Sequence, residues 1–282
     1  MQLKYIDIHG HINFPEYDSD REEVIKRAHD AGVGIVTVGT GLESSRKAIE
    51  LAETHENIWA IVGIHPIDTH AVVAVSEFEG IKELARHPKV VAIGECGLDY
   101  FHSKPEDIPL QKELFEKHIA LANEVGKPLM LHVRNAKTNS KDGVVSNFGM
   151  EAVYDSNSPT YNAYQEAIAI LKKSAKVRAN FHFFAGTLQD ARDIIEIGNT
   201  MSFTGVLTFA RNYDEIIKNV SLTHIMSETD CPFVSPAPYR GKRNEPSYVV
   251  EVVKKIAEIR GESVDMVAKQ LFENARMVFS LG

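Results

Sequence analysis

The chain has 282 residues, 44% hydrophobic and 25% charged, with a formal net charge of -8 at pH 7. That length accommodates one large core, no apolar run is long enough to cross a bilayer, and the acidic balance excludes a surface that is a nucleic-acid platform throughout. Its two cysteines, Cys96 and Cys231, are too few for a disulfide framework, and the polar-flanked start MQLKYIDIHG carries no secretory pattern, so a reducing, cytoplasmic setting is expected.

Apolar runs and helical periodicity alternate along the chain. Expected strands are Lys4–His9, Gly34–Val38, Ile58–Ile64, Val90–Gly94, Pro128–His132, Val177–Phe183, Thr200–Thr204 and Leu222–Ser227. Helical patterns such as DREEVIKRAHDAG, SSRKAIELAETH, FEGIKELARHP, QKELFEKHIALANEVGK, YQEAIAILKKSA and LQDARDIIEIGN lie between them. Several end at glycine or a basic residue, as helix C-termini do. The closing stretch, EPSYVVEVVKKIAEIRGESVDMVAKQLFENARMVF, reads as two or three helices on the outside. Repeated β-then-α units without a composition break predict an α/β fold, a single (β/α)8 TIM-type barrel over residues 1–282 with C-terminal helices. An open doubly wound sheet is the rival, but no glycine-rich phosphate turn follows an early strand. The rhythm breaks only after the fifth strand. There residues 135–161 are polar and turn-rich, an extra loop at the C-terminal rim that is expected to act as a lid.

Chemistry-bearing residues gather at the ends of these strands. His9 and His11 are two apart and face the same way on an extended chain, with Asp7 expected on that face one step deeper. Glu95 closes an apolar run, where an unpaired carboxylate is costly; its two oxygens can bridge cations about 3.5–4 Å apart. His132 and His182 each follow apolar residues, and Asp230 lies past the eighth strand, which ring closure brings beside the first. A lone HxH, or a lone histidine after an apolar run, is more often an ordinary polar residue. The combination predicts metal ligands. Cys96 and Cys231 alternate with Glu95 and Asp230, so buried structural thiols are expected.

These segments, DIHGHIN, GIHPID, GECGLDY, HVR, FHFFAG, SETDCP and PYRGKRNEP, stand in the order found in the TatD family of metal-dependent deoxyribonucleases, in the amidohydrolase-like metal-barrel group, which the chain resembles over nearly its full length. Two departures are visible: Asn13 where the family more often has aspartate, and the long insertion after Arg134. The resemblance implies one ion held by His9, His11, Glu95 and Asp230 and another held by Glu95, His132 and His182. Two divalent ions are implied, magnesium, manganese or zinc.

Substrate contacts are expected from His65, Tyr100 and Arg134, and from Arg240, Lys242 and Arg243 in the loop after the eighth strand. For His65 a structural histidine is the competing reading, and for the basic loop a solvated turn. The implied activity is hydrolysis of DNA phosphodiesters, on single-stranded substrate and in the 3′–5′ direction, by metal-activated water, with Asp230 and Glu95 as catalytic carboxylates. Alternatives are a metal-dependent esterase or amidohydrolase, such as a D-aminoacyl-tRNA deacylase, and a metal-binding scaffold without turnover. No membrane contact is expected, and nothing in the sequence identifies a protein partner.

Overall fold

The computed structural model describes residues 3–68, 71–136 and 162–281. Residues 137–161, nearly all of the expected lid, lie outside the described residues. The strands are β1 (Tyr5–Gly10), β2 (Val33–Val38), β3 (Ile58–Val62), β4 (Val90–Asp99), β5 (Leu129–Arg134), β6 (Ala179–Phe181), β7 (Thr200–Phe203) and β8 (Ile225–Ser227). They pair in chain order, and every recorded ladder is parallel. Between them lie α1 (Arg21–Asp30), α2 (Leu42–Thr54), α3 (Ala71–Leu84), α4 (Ile108–Val125), α5 (Ala163–Ser174), α6 (Leu188–Glu196) and α7 (Asp214–Asn219); α8 (Val249–Arg260) and α9 (Val264–Phe279) follow β8. This is the (β/α)8 barrel that the alternating pattern predicts. The short α7 was not foreseen, since a helix of 6 residues is too brief to display a period.

Closure occurs just beyond the strand ends. Asp230 N–H donates to His9 O at 2.8 Å and His11 N–H donates to Cys231 O at 2.7 Å, so backbone bonds join the last strand to the first. Two apolar layers follow from strand alternation. Ile35, Ala60, Ile93, Leu131 and Phe181 join the large cluster between strands and helices. Their alternates Val36, Ile61, Met130 and Met226 form a second cluster, which Ala275, Val278 and Phe279 of α9 extend. Asn274 of α9 donates to Leu222 O and Ile225 O, docking that helix where β8 begins. One end of the barrel is thereby filled, and the other carries the polar residues.

Two register slips shape that polar end. Between Asp7 and Gly10, β1 advances three residues while β2 advances two. This breaks the alternation that put Asp7 on the face of His9 and His11. Asp7 instead lies beside Gly10, where a Cβ would sit 3.2 Å from its Oδ2, and it binds Thr229 N–H and Oγ1. In β4 the strand does not end at Gly94 but continues to Asp99, with a slip between Ile93 and Cys96 against Leu129 and Leu131. Such a surplus residue re-aims a side chain, here that of Glu95. The neighbouring glycines permit the close approach: a Cβ on Gly94 (φ 150°) would lie 2.3 Å from Met130 O, and one on Gly97 (φ 136°) 2.2 Å from His132 O.

Candidate metal centre

Glu95 is the hub, 3% exposed at the barrel mouth. Its Oε2 lies 3.3 Å from His9 Nε2 and 3.8 Å from His11 Nε2, and these same nitrogens face Asp230 Oδ1 at 3.8 and 3.4 Å. Its Oε1 lies 2.8 Å from His182 Nε2, 3.1 Å from His132 Nδ1 and 3.3 Å from His65 Nε2. All six ligands expected from the sequence thus converge, and His65 joins them. Among the described residues, donor atoms fall into three groups of the size a metal ion needs: His9, Glu95 and His182; His9, His11 and Asp230; His65, Glu95 and His132.

Hydrogen bonds on the far side of each ring decide which nitrogen keeps a lone pair for the site. His11 Nδ1–H donates to Val38 O at 3.0 Å, leaving Nε2 as an acceptor. His132 Nε2–H donates to Asp99 Oδ2 at 2.9 Å, so Nδ1 is its inward acceptor. Behind His182, Nδ1 approaches Glu228 Oε1 at 3.4 Å, off the line of a good hydrogen bond. Glu228 is fully buried, accepting from Phe183 N–H and Ser202 Oγ–H at 2.6 Å each. His65 is the exception: its Nδ1 accepts Ile67 N–H at 3.2 Å, which assigns the proton to Nε2, the atom that points at Glu95.

Electrostatics follow from burial and neighbours. Burial, then repulsion from His182, pushes the His9 pKa down to about 3, keeping a neutral imidazole. Burial also opposes a charge on Glu95, but His182, His65 and His9 outweigh it and hold its carboxyl well below the usual range. For His182 burial is again overcome, by Glu95 and Glu228, and its pKa lies well above the ordinary value. Asp99 is held low against burial by hydrogen bonds from His102 and His132. The donor set fits divalent cations: His9 and His11 Nε2 stand only 3.3 Å apart, and both face the carboxylates of Glu95 and Asp230. Mixed imidazole and carboxylate donors suit zinc or manganese better than calcium.

The expected substrate contacts separate into two sets. Arg134 lies over the Phe101 ring at 4.0 Å, half-buried, and Arg240 and Lys242 are exposed. Arg243 is engaged elsewhere, donating to Asp20 Oδ2 at 2.6 Å and to Glu16 O at 2.5 Å while covering Tyr17. Tyr100 is fully buried, and its hydroxyl donates to Glu166 of α5 at 2.5 Å. Asn13 donates through Nδ2 to Val38 O and Ser44 O, an exchange an aspartate could not make. Cys96 and Cys231 are buried free thiols, and burial pushes Cys231 up to about 12, which leaves neither as a nucleophile. Sequence reasoning missed Asp99 and Glu228 as carboxylates that back histidines. Glu228 stands visibly two residues before Asp230, but both lie beyond β8, so alternation could not assign its role.

A parallel barrel whose mouth gathers histidines around a shared glutamate defines a metal-dependent hydrolase. The family described as TatD-related DNase matches residues 6–280, and the chain belongs to it. It is 37% identical over 281 residues, covering 98% of both chains, to the metal-dependent hydrolase YabD of Bacillus subtilis. It is 31% identical over 285 residues to the 3′–5′ ssDNA/RNA exonuclease TatD of Pantoea ananatis, covering 98% of this chain and 99% of that one. The crystal structure of YjjV, a TatD homologue from Escherichia coli, superposes with a TM-score of 0.83 at 27% identity, covering 100% of both chains. Among the described residues no helix is long and apolar enough to cross a membrane.

Proposed function

We propose that the protein hydrolyses phosphodiester bonds of single-stranded DNA, removing nucleotides from the 3′ end, with two divalent ions at the mouth of the barrel. The observation that carries this reading is the split environment of Glu95: Oε2 faces His9 and His11, Oε1 faces His132 and His182. Glu95 would help hold one ion through Oε2, with His9 and His11, and the other through Oε1, with His132 and His182. The exonuclease name of the Pantoea relative supports nucleic acid as substrate.

Bound ions supply Lewis acidity to the phosphate and acidify water. The chain's own groups do the rest. His9, His11 and Asp230 hold one side of Glu95, His132 and His182 the other. Asp230, besides holding an ion, would accept the proton of the attacking water. His65, with its proton on Nε2, donates a hydrogen bond to a phosphate oxygen, so it is a substrate contact and not a ligand. Arg134, Arg240 and Lys242 neutralise phosphates along the strand. Tyr100 and Arg243, bound to Glu166 and Asp20, hold the rim in shape. Two buried free thiols suit a cytoplasmic setting.

Digestion of end-labelled DNA and RNA oligonucleotides with a panel of divalent ions tests this, with charged tRNA as a parallel substrate. Stepwise loss of nucleotides from the 3′ end is expected, abolished by EDTA and by Glu95→Ala. Undiminished cleavage after metal removal would refute it. Release of the amino acid from charged tRNA with intact oligonucleotides would assign the site to ester hydrolysis, and bound metal without turnover to a scaffold.

A further inference from the structure

Among the described residues the exposed large hydrophobics are Ile67 (41%), Phe209 (46%), Phe233 (48%), and Val264, Met266 and Met277 of α9. The first three are not scattered. Ile67 follows β3, Phe209 follows β7 and Phe233 follows β8, so each stands where the chain leaves a strand at its C-terminal end. That is the end carrying the metal centre. Soluble proteins seldom cluster exposed apolar side chains without a use for them.

Phe233 is the best defined. It lies three residues beyond Asp230, and its backbone is clamped from both sides. Its N–H donates to Asp230 O at 3.0 Å, and its carbonyl accepts Asn244 Nδ2 at 2.6 Å. The next residue, Val234, has φ 47°, a conformation β-branched residues rarely adopt. So rigid a turn could bury its aromatic side chain, yet the ring stays half in water. It stands 6.2 Å from the His11 ring, which is stacked on Phe14 at 4.5 Å. Phe209 shares this rim and carries the Arg240 guanidinium at 4.0 Å.

We propose that Phe233 is a stacking platform for one unpaired base of the strand whose phosphate is held at the His9, His11 and Asp230 side of the site. This rests on the nuclease reading above and deepens it. Both ingredients of a groove for single strands are present on one loop, cations for phosphates and aromatic faces for bases. A base inside a duplex is covered on both faces and cannot lie on Phe233. Preference for single strands then originates in this ring, and the ions are indifferent to pairing.

The test uses the metal-loaded full chain and a single-stranded oligonucleotide carrying a fluorescent adenine analogue at each of its last positions in turn. Wild-type protein should quench one position strongly, as stacking does. Phe233→Leu should lose that quenching and raise KM about tenfold, while Phe233→Tyr retains both. Replacing the quenched nucleotide by an abasic one should raise KM for wild-type protein by a similar factor. Combined with Phe233→Leu it should add little more, because both changes remove one contact. Independent, multiplying effects would overturn the proposal, as would unchanged KM and quenching in Phe233→Leu. Loss of self-association in that variant with intact oligonucleotide kinetics would assign the face to a second copy of the chain and overturn it too. If the wild-type protein neither binds nor cleaves the oligonucleotide with any ion, the nuclease reading falls first and this one with it.

Discussion

At the scale of single residues, the centre is governed by what stands behind the histidines. His132 and His182 face the same oxygen of Glu95, and each has a buried carboxylate at its back, Asp99 and Glu228. His11 has only the Val38 carbonyl, and His9 has nothing. A carboxylate behind a ring raises its basicity and fixes its orientation, and removing such a partner costs about 10- to 100-fold in metal affinity. Glu228→Gln preserves volume and an acceptor for Phe183 N–H while deleting the charge. We expect it to weaken divalent-ion binding by about that factor, with an unchanged far-ultraviolet spectrum, when affinity is read by equilibrium dialysis. Wild-type affinity in the variant would show that Glu228 only closes the gap between β6 and β8. The role of Glu228 was not legible in the sequence for a simple reason. An acid two residues before a ligand is visible, but whether it meets substrate, ion or imidazole depends on Ser202 and Phe183, which come from other strands.

At the scale of elements, the strands were legible because a parallel strand covered on both faces is a short, nearly continuous apolar run. The slips in β1 and β4 were not, since register belongs to a pair of strands and neither member encodes it alone. Hence Asp7 was expected on the wrong face and β4 was expected to stop at Gly94. Tyr100 shows the same limit: its place after Asp99 suggests the rim, and nothing local announces that Glu166 of α5 takes its hydroxyl. Contacts between elements also set a pH response. His118 of α4 is fully buried, donating from Nδ1 to Leu114 O at 2.7 Å and accepting Ile64 N–H on Nε2 at 3.1 Å. This second bond ties α4 to the segment that carries His65, and it exists only while the ring is neutral. Burial lowers the His118 pKa from 6.5 to about 4. Between those values the unfolded chain binds a proton that the folded chain refuses, so stability falls as pH drops through that window. Above it this ring contributes no slope. The full effect is on the order of 3 kcal/mol. Urea midpoints at neutral and mildly acidic pH should therefore fall further for the wild type than for His118→Gln, even if the variant starts lower. Equal losses would remove His118 from the account.

At the scale of the molecule, the metal centre and the closure of the barrel occupy the same place. His9 and Asp230, which face each other across the donor cluster, are also joined through their backbones where β1 meets β8. The proposed ligands come from both chain ends and from the middle of the sequence, so the unfolded chain offers no comparable site. This explains why the convergence of these side chains could be read from sequence alone: in a barrel, chain order is spatial order, and the ring returns the last strand to the first. It also makes folding and ion binding one equilibrium. An ion that binds only the folded form stabilises it by RT ln(1 + [L]/Kd), about 2.7 kcal/mol at roughly a hundred times Kd. For a chain of this size that raises Tm by about 5 °C. Protein stripped with EDTA should melt lower by that amount, and manganese or zinc should restore the loss. Glu95→Gln, which keeps the shape of the hub but removes its charge, should melt at one temperature whether ions are present or not. Calorimetry on these samples reads the coupling without any assumption about substrate. A wild-type Tm indifferent to every divalent ion would mean that the histidines and acids at the mouth hold themselves together by hydrogen bonds alone, and the case for a metal centre would fail at its physical root.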